Sequence, residues 1–487
     1  MNIRFDPLKI LCLAAAVAAG LCAAARPASA ADDTGVRGTA EEQPLDQWVA
    51  EQEGKSWAQL QKNISPAEPK TPGGPAPRRG IVVAALSKND PDYYFHWVRD
   101  SSIVMLDVIK AFESRRPYAE PGKFQPMMRD FLELSRSLQR IPSEYGLGEP
   151  RYTVDGKADT IPWSRPQFDG PALRALAVME YLKAAAPQRR APALKVLKTD
   201  LDFIAAARNR RGFDIWEEYK ADNYNTRLVQ LAALEKGARW FGPRYQKACR
   251  ELETLLDDHW DPARGFMRSQ LAIAATDGYT SKKTDLDSAV IVTVMDADRD
   301  AEAHSVLDDR IQATVAVLET LFRGEYAVNN REDMGLGYGR YAGDSYYGGN
   351  PWYLITAYYA QFYYRLARRV EEGRPFRITK INAGFVRGLL PGEKPESLAP
   401  GTEVTRGHAL YRPLLAALTG RGDGIMRRIR FHTPADGQLF EQFDKNTGQP
   451  VSSLGIGWAH AAFLGAAMER ARLMAGAAGT ESPAAKP

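Results

Sequence analysis

Residues 350–369 read Asn-Pro-Trp-Tyr-Leu-Ile-Thr-Ala-Tyr-Tyr-Ala-Gln-Phe-Tyr-Tyr-Arg-Leu-Ala-Arg-Arg, and this stretch decides the fold class. Asn350 predicts a helix N-cap, Pro351 suits a first helical turn, and the arginines at the far end suit the negative end of the helix dipole. Between Trp352 and Leu366 the residues are apolar or aromatic nearly all round the helix. A helix with this pattern has to be buried on most of its sides.

A second kind of helix carries its apolar residues on one side. The clearest stripe consists of Ile311, Val315, Leu318 and Phe322. Their spacing predicts a helix that buries one face and leaves the other to solvent. Roughly a dozen helical segments of the two kinds lie between Leu45 and Ala475, whereas strand signals are few and short. Alternation of all-round and one-sided helices predicts two concentric layers, so we expect an all-α protein with an α/α barrel rather than a solenoid.

The first thirty residues have the pattern of a signal peptide. Arg4 and Lys9 precede an apolar run over residues 10–25, and Ala28-Ser29-Ala30 matches the small-x-small cleavage site. We therefore expect cleavage near Ala30 and a periplasmic or secreted protein. No later stretch reaches the roughly 18–20 apolar residues of a membrane span, so no membrane anchor is predicted.

The rest of the chain divides by composition. Residues 31–79 contain a predicted helix over 45–63 followed by a Pro-rich linker. Residues 80–475 show no comparable break and are interpreted as one large domain, and residues 476–487 as a small, polar, disordered tail. The proportions of 44% hydrophobic and 25% charged residues are those of an ordinary globular protein. We expect a monomer.

Charge and motifs exclude several classes of function. The chain is nearly neutral, with a formal charge of +4, which gives no electrostatic reason to expect a nucleic-acid or anionic-membrane partner. After removal of the signal segment Cys249 is the single cysteine, so no intramolecular disulfide is possible. No GxSxG, P-loop, HExxH or CxxC motif occurs, and the six histidines are scattered. Neither a metal nor another cofactor is predicted.

Five short loops are dense in Trp, Tyr, Arg and carboxylates, and each precedes a helical run. They cover residues 92–100, 163–170, 213–218, 340–352 and 441–444. Aromatic faces can stack on sugar rings and Arg/Asp pairs can hold neighbouring hydroxyls, so the five loops together predict one sugar-binding pocket at one end of the barrel. Cleavage of a glycosidic bond needs two carboxyl groups, for which Glu217, Glu218 and Glu441 are the candidates. Spacing alone does not choose between Glu217 and Glu218.

On these loops, taken in order from about Gly80 to Ala475, the sequence resembles the glucoamylase family, glycoside hydrolase family 15. It resembles most closely the compact form that has no N-terminal β-sandwich and no starch-binding module. The resemblance implies an (α/α)6 barrel, a six-hairpin toroid of about twelve helices. It also implies exo-acting, inverting hydrolysis of α-glucosidic bonds at non-reducing ends, with no metal.

The resemblance assigns roles to individual positions. It implies that Glu217 is the general acid and Glu441 the general base, and that Arg99 and Asp100 hold the 4- and 6-hydroxyls of the terminal glucose. The remaining substrate-binding positions that it implies are Tyr93, Trp97, Trp163, Arg165, Asp214, Trp216, Glu218, Arg340, Asp344, Trp352 and Gln442. For Asp100 a structural alternative is a cap on a helix that begins near Ser101.

Two alternatives to a malto-oligosaccharide hydrolase stay open at this point. The same fold and mechanism could act on trehalose or on isomalto-oligosaccharides and dextran, since the 335–349 loop is a natural place for specificity to change. A non-catalytic glucan-binding protein is the alternative from another class. Both glutamates argue against it, because a binding protein gains nothing from burying a second carboxyl group.

Overall fold

The computed structural model describes residues 43–271 and 284–480. The predicted signal peptide (1–30) lies outside the described residues, as do residues 481–487 of the predicted tail. The described residues from Pro44 onwards form one compact unit. The described residues contain thirteen α-helices and eleven short strands.

The helices are α1 Leu45–Asn63, α2 Val98–Glu113, α3 Pro121–Leu138, α4 Gly170–Ala184, α5 Arg190–Ala207, α6 Tyr224–Phe241, α7 Gln246–Asp257, α8 Ala289–Ala297, α9 Asp309–Glu325, α10 Tyr353–Glu371, α11 Ala383–Leu389, α12 Tyr411–His432 and α13 Gly457–Thr480. Helices α2, α4, α6, α8, α10 and α13 form a closed inner ring, because each packs on the next and α13 packs back on α2. Helices α1, α3, α5, α7, α9 and α12 form the outer layer. The predicted (α/α)6 barrel is confirmed.

Burial of the helices follows the predicted two kinds. The stripe of α9, from Ile311 to Phe322, is fully buried on one side. Helix α10 is buried nearly all round, and its tyrosine hydroxyls make hydrogen bonds to neighbouring helices. Tyr358, Tyr363 and Tyr364 each donate to a carboxylate at 2.6 Å. A fully buried aromatic helix is stable here because its polar tips have partners.

The N-terminal helix has the predicted bounds but a different setting. Helix α1 packs on α13, where the rings of Trp48 and Phe463 meet edge to face at 5.5 Å. The Pro-rich segment after it is held by backbone hydrogen bonds from Ser65 to Ile81 (2.7 Å) and from Arg78 to Val154 (2.8 Å). Helix α1 is therefore part of the same compact unit as the barrel, whereas the sequence analysis assigned it to a segment before the large domain.

Two local expectations differ from the structure. Asn350 does not cap α10, because its side chain bonds to Gln442 instead. Helix α13 continues to Thr480, beyond the predicted start of the tail at residue 476.

The strands form small ribbons at the ends of the helices. They are β1 His96–Trp97, β2 Arg151–Tyr152, β3 Gly212–Phe213, β4 Lys220–Asn223, β5 Trp260–Asp261, β6 Phe266–Met267, β7 Gln270–Leu271, β8 Phe376–Arg377, β9 Glu403–Val404, β10 Phe440–Phe443 and β11 Pro450–Leu454. They pair as β1-β2, β3-β4-β7, β5-β6, β8-β9 and β10-β11, all antiparallel. The part of the chain that the structure describes therefore contains no β-sandwich. The hairpins β3-β4 and β10-β11 carry the two candidate catalytic glutamates.

Candidate active site

A cavity of about 940 Å³ opens at the end of the barrel where the inner helices begin. The segments before α2, α10 and α13 contribute to its wall, as do the β3-β4 turn and strand β10. The predicted site residues that line it are Tyr93, Trp97, Arg99, Asp100, Trp163, Trp216, Glu217, Glu218, Arg340, Trp352 and Glu441. The structure thus brings residues from all five predicted loops to one cavity.

Glu217 lies in the turn of the β3-β4 hairpin with a positive φ of 65°. The Asp214 carboxylate holds this turn by accepting from the backbone N–H of Glu218 (2.8 Å) and of Tyr219 (3.1 Å). The Ser164 hydroxyl donates to the Glu217 carbonyl at 2.5 Å. A left-handed conformation is costly for a residue with a side chain, so these bonds stabilise the one backbone geometry that presents Glu217 to the cavity.

The carboxylate of Glu217 accepts four hydrogen bonds. Its Oε1 accepts from Trp97 Nε1 (2.8 Å), Gln167 Nε2 (2.8 Å) and Arg99 Nη2 (3.2 Å). Its Oε2 accepts from Trp163 Nε1 at 2.7 Å. Donors converging from several loops fix the plane and the direction of the carboxyl group.

Glu218 has a different surrounding, which separates it from Glu217. Its Oε1 pairs with Arg340 Nη2 at 2.9 Å, and its Oε2 accepts from the Tyr341 hydroxyl at 2.6 Å. Arg340 also makes a two-pronged pair with Asp344 (2.8 and 2.6 Å). Both oxygens of Glu218 are thus taken by Arg340 and Tyr341, an arrangement suited to holding Arg340 in place.

Glu441 is buried on strand β10, at a bulge where the pairing with β11 shifts register. Its Oε2 accepts a hydrogen bond from the Ser452 hydroxyl across the hairpin. Burial raises the pKa of Glu441 to about 7, against the opposing effects of the Ser452 bond and the Arg340 charge. The burial makes Glu441 a stronger base than an exposed carboxylate.

Arg99 and Asp100 lie side by side in the first turn of α2 and are almost fully buried. Arg99 Nη1 donates to Gln167 Oε1 at 2.7 Å and pairs with Asp169 at 3.4 Å. Arg99 Nε and Asp100 Oδ2 form an ion pair at 3.4 Å and make no hydrogen bond. A guanidinium and a carboxylate side by side in the wall of a cavity suit two neighbouring hydroxyl groups of a ligand.

Asp100 is not a helix cap. Helix α2 begins at Val98, its N-cap position is Trp97, and no side chain caps it. Burial raises the pKa of Asp100 to about 6, against the lowering effect of the Arg99 charge, and the carboxylates of Glu217 and Asp169 add to the rise. The surroundings therefore disfavour the ionised form, which is not the setting of a carboxylate placed for stability.

Tryptophans form the rest of the wall. Trp216 is fixed by its indole N–H, which donates to both oxygens of buried Asp287 at 3.1 Å, and its ring lies against Trp352 and Trp458. Trp163 meets Trp97 edge to face at 5.8 Å and is partly exposed. The apolar faces suit the C–H faces of a sugar ring.

Four predicted substrate-binding residues do not line the cavity. Arg165 turns to Glu149 (2.5 Å) and to backbone carbonyls of its own loop. Asp214 holds the β3-β4 turn, Asp344 pairs with Arg340, and Gln442 bonds to Asn350. Each of these four side chains is bonded to a loop or to a guanidinium, so it supports residues that face the cavity.

Several lining residues were not predicted from the sequence. They include Arg151, Ser164, Ile456, Trp458 and the pair Tyr346 and Tyr347. Ser164 and the two tyrosines lie inside the five predicted loops, so loop composition could have found them. Trp458 opens the last helix after a stretch without other aromatic residues, and no local signal marks it.

Two further properties concern the described residues as a whole. Residues 43–271 and 284–480 contain no cluster of three or more His, Cys, Asp or Glu side chains arranged to hold a metal ion. Within the same ranges, no helix has both the length and the apolar character of a membrane span.

Comparisons with known proteins agree with this fold. The profile of glycosyl hydrolases family 15 matches residues 58–468. A glucoamylase of Blastobotrys adeninivorans is 30% identical over 434 residues, which cover 82% of this chain and 68% of the relative. A glucoamylase of Saccharomycopsis fibuligera is 28% identical over 448 residues, covering 81% of this chain and 85% of the relative.

Solved structures give the same result. A glucoamylase structure from Saccharomycopsis fibuligera superposes with a TM-score of 0.79 at 26% identity, covering 89% of this chain and 96% of that one. A family 15 glucoamylase from Hypocrea jecorina gives a TM-score of 0.78 at 28% identity, covering 88% and 72%. The protein is a glycoside hydrolase. The chain belongs to glycosyl hydrolases family 15 and is a glucosidase of the glucoamylase type.

Proposed function

We propose that this protein is an exo-acting, inverting α-glucosidase that releases β-D-glucose from the non-reducing ends of malto-oligosaccharides and other α-glucans. The observation that carries the proposal is the pairing of Glu217 and Glu441, which reach one cavity from two different hairpins, with the Arg99 and Asp100 pair beside them. Two carboxyl groups and a fixed grip on one ring are what glycosidic cleavage at a chain end requires.

In the proposed reaction Glu217 is protonated and Glu441 is ionised. Glu217 gives its proton to the glycosidic oxygen as the bond from that oxygen to the anomeric carbon breaks. Glu441 takes a proton from a water molecule, whose oxygen bonds to the anomeric carbon from the opposite face. The glucose released is therefore the β-anomer.

The proposed exo action depends on Arg99 and Asp100. The Arg99 guanidinium can donate to one hydroxyl of the terminal glucose and the Asp100 carboxylate can accept from its neighbour. Buried groups bonded to two hydroxyls leave no room for a further glucose unit on that side, so the enzyme takes chain ends only.

Linkage preference is the part of the proposal with an alternative. The loop that contains Tyr346 and Tyr347 lines the cavity next to Tyr93, since the Tyr93 and Tyr346 hydroxyls share a hydrogen bond of 2.5 Å. We assign α-1,4-linked glucose chains as the substrate. Trehalose and isomalto-oligosaccharides or dextran are the alternatives for the same mechanism.

Glucose release from maltose, isomaltose, trehalose and soluble starch tests the proposal. We expect the highest kcat/KM on maltose and starch. Glu217→Gln is expected to lose glucose release, and Glu218→Gln is the matched variant for comparison. Faster release from trehalose or isomaltose than from maltose would replace the assigned substrate. No release from any of the four sugars would contradict the function.

We also propose that the protein acts outside the cytoplasm as a monomer. The signal-peptide pattern of residues 1–30 supports export. Amino-terminal sequencing of the protein from periplasm and from medium is expected to begin at Ala31, and light scattering to give the mass of one chain. An uncleaved terminus in the cytoplasm, or a dimer mass, would contradict these two points.

A further inference from the structure

Three buried polar groups form a chain that starts at the wall of the active-site cavity and runs into the barrel. Trp458 lines the cavity from the first turn of α13, and its indole Nε1 donates to the Tyr358 hydroxyl of α10 at 2.9 Å. The Tyr358 hydroxyl donates to Asp296 Oδ1 of α8 at 2.6 Å. Residues from three neighbouring inner helices are joined in this way.

The hydrogen bonds of this chain run in one direction. An indole N–H can only donate, so the Tyr358 oxygen has to accept from Trp458. The Tyr358 hydroxyl in turn donates to Asp296 Oδ1. Removing the hydroxyl would leave Trp458 Nε1 without its acceptor in a position where water has little access.

Trp458 contacts two groups that hold the proposed acid in place. Its ring stacks on Trp216 with centroids 6.4 Å apart and planes 27° apart. The Arg99 guanidinium lies 5.8 Å from the Trp458 ring. Trp216 directly precedes Glu217, and Arg99 donates to Glu217 Oε1. A rotation of the Trp458 indole would therefore disturb the support of Glu217 on two sides.

We propose that Tyr358 and Asp296 are positioning residues for the glycosidase reaction. They fix the plane of the Trp458 indole and, through it, the positions of Trp216 and Arg99 around Glu217. Neither residue touches the substrate. This inference rests on the proposed function, because it concerns how Glu217 is aligned for proton transfer, and a small misplacement of a catalytic group lowers the rate of the chemical step.

Helix α10 offers a matched control for a merely structural role. Tyr363 is also fully buried and also donates to a carboxylate at 2.6 Å, that of Glu319. Neither Tyr363 nor Glu319 lines the cavity, and Tyr338, whose hydroxyl also donates to Glu319, does not line it either. Tyr358→Phe and Tyr363→Phe thus remove the same kind of bond from the same helix, but only the Tyr358 hydroxyl bonds to a side chain that lines the cavity.

The first measurement follows the indole N–H directly. Tryptophan labelled with ¹⁵N gives one indole signal for each of the nine tryptophans, and the signal that is lost in Trp458→Phe identifies Trp458. We expect Tyr358→Phe to move this signal upfield because the hydrogen bond is lost, and Tyr363→Phe to leave it in place. Asp296→Asn keeps an acceptor oxygen and is expected to keep the signal near its wild-type position.

The second measurement is steady-state kinetics on maltotriose. We expect Tyr358→Phe and Asp296→Leu to lower kcat by about tenfold with KM changed by less than about threefold, whereas Asp296→Asn and Tyr363→Phe stay close to wild type. An unmoved Trp458 signal in Tyr358→Phe, an unchanged kcat, or an equal loss in Tyr363→Phe would overturn the inference. A wild-type protein that releases no glucose would contradict the proposed function instead, while the indole spectra would still decide whether Tyr358 and Asp296 hold Trp458.

Discussion

Replacing Asp100 with Asn removes one buried negative charge and keeps the shape of the side chain. Asp100 is almost fully buried, and burial raises its pKa from 3.8 to about 6. At pH 8 the folded protein therefore bears the cost of an ionised carboxylate in unfavourable surroundings. A rise of this size corresponds to about 3 kcal/mol of lost stability when the carboxyl is ionised in both folded and unfolded states.

The sign of the pH dependence follows from the raised pKa. Between pH 3.8 and about 6 the folded state binds the Asp100 proton more strongly than the unfolded state, so the contribution of this group to stability falls as pH rises through that range. Above about pH 6 the Asp100 carboxyl is ionised in both states, and the loss of stability reaches its full size. Asp100→Asn is therefore expected to raise the free energy of unfolding by up to about 3 kcal/mol at pH 8 and by much less near pH 4.

The same substitution is expected to reduce catalysis. Asn keeps an acceptor oxygen but loses the charge, and its amide introduces donors beside Arg99, which can only donate. Loss of one charge-assisted bond to a substrate hydroxyl, made tightest in the transition state, predicts a fall in kcat/KM of about 10²-fold, equivalent to about 2.7 kcal/mol. Stability should rise while activity falls.

Denaturant unfolding at pH 4 and pH 8, with maltotriose kinetics on the same preparations, measures both effects. Glu469→Gln is the control of opposite sign, because the charges of Arg365 and Arg368 outweigh burial and lower the pKa of Glu469. That variant is expected to lose stability at pH 8. A fully active Asp100→Asn enzyme, or one less stable than wild type at pH 8, would refute the interpretation of Asp100 as a substrate-binding group.

Three further predictions concern the remaining site residues and the core. Glu441→Gln is expected to lower kcat by about 10²-fold or more, because the general base is lost. It is also expected to raise stability at pH 8, because burial raises the pKa of Glu441. Steady-state kinetics and denaturant unfolding measure the two effects, and retained activity would contradict the role of Glu441 as the base. Trp163→Phe removes the donor to Glu217 Oε2 and is expected to lower kcat about tenfold, more than it changes KM; an unchanged kcat in steady-state assays would contradict that support. The buried histidines His96 and His460 are expected to contribute stability that is lost from about pH 6.5 towards pH 3, opposite in sign to the contributions of Asp100 and Glu441. Burial lowers the pKa of each imidazole to about 3, so at these two positions the unfolded state binds more protons than the folded state in this range; a His460→Gln variant with the same change in stability between pH 7 and pH 4 as the wild type would contradict this.

The helices could be predicted because their signals are local. The stripe on α9 and the all-round pattern of α10 are properties of consecutive residues, and packing in the barrel agrees with both. Asn350 shows where local reasoning fails. Its side chain was expected to cap α10, but Gln442, 92 residues later in the chain, offers it a hydrogen bond at 3.0 Å. A contact of that separation leaves no trace in the local pattern.

The candidate site was likewise predictable only where its signals are local. Loop composition marked segments that contain most of the lining residues, but composition cannot tell a side chain that faces the cavity from one that supports its wall. Arg165 and Asp344 are of the residue types that bind sugar hydroxyls, but each is paired with another side chain of the protein. The different settings of Glu217 and Glu218 depend on a positive φ at Glu217 and on four donors from distant loops. The hydrogen-bonded chain from Trp458 to Asp296 depends on three helices that meet in the barrel.

The anomeric configuration of the first glucose released tests the central claim most directly. Proton NMR spectra recorded during the first minutes of maltotriose hydrolysis, before mutarotation, separate the two anomers. If Glu217 acts as acid and Glu441 as base towards water, the β-anomer forms first and the α-anomer appears later at the rate of mutarotation. Formation of α-glucose first would mean that a carboxylate attacks the sugar directly, and it would contradict the assignment of Glu441 as a general base.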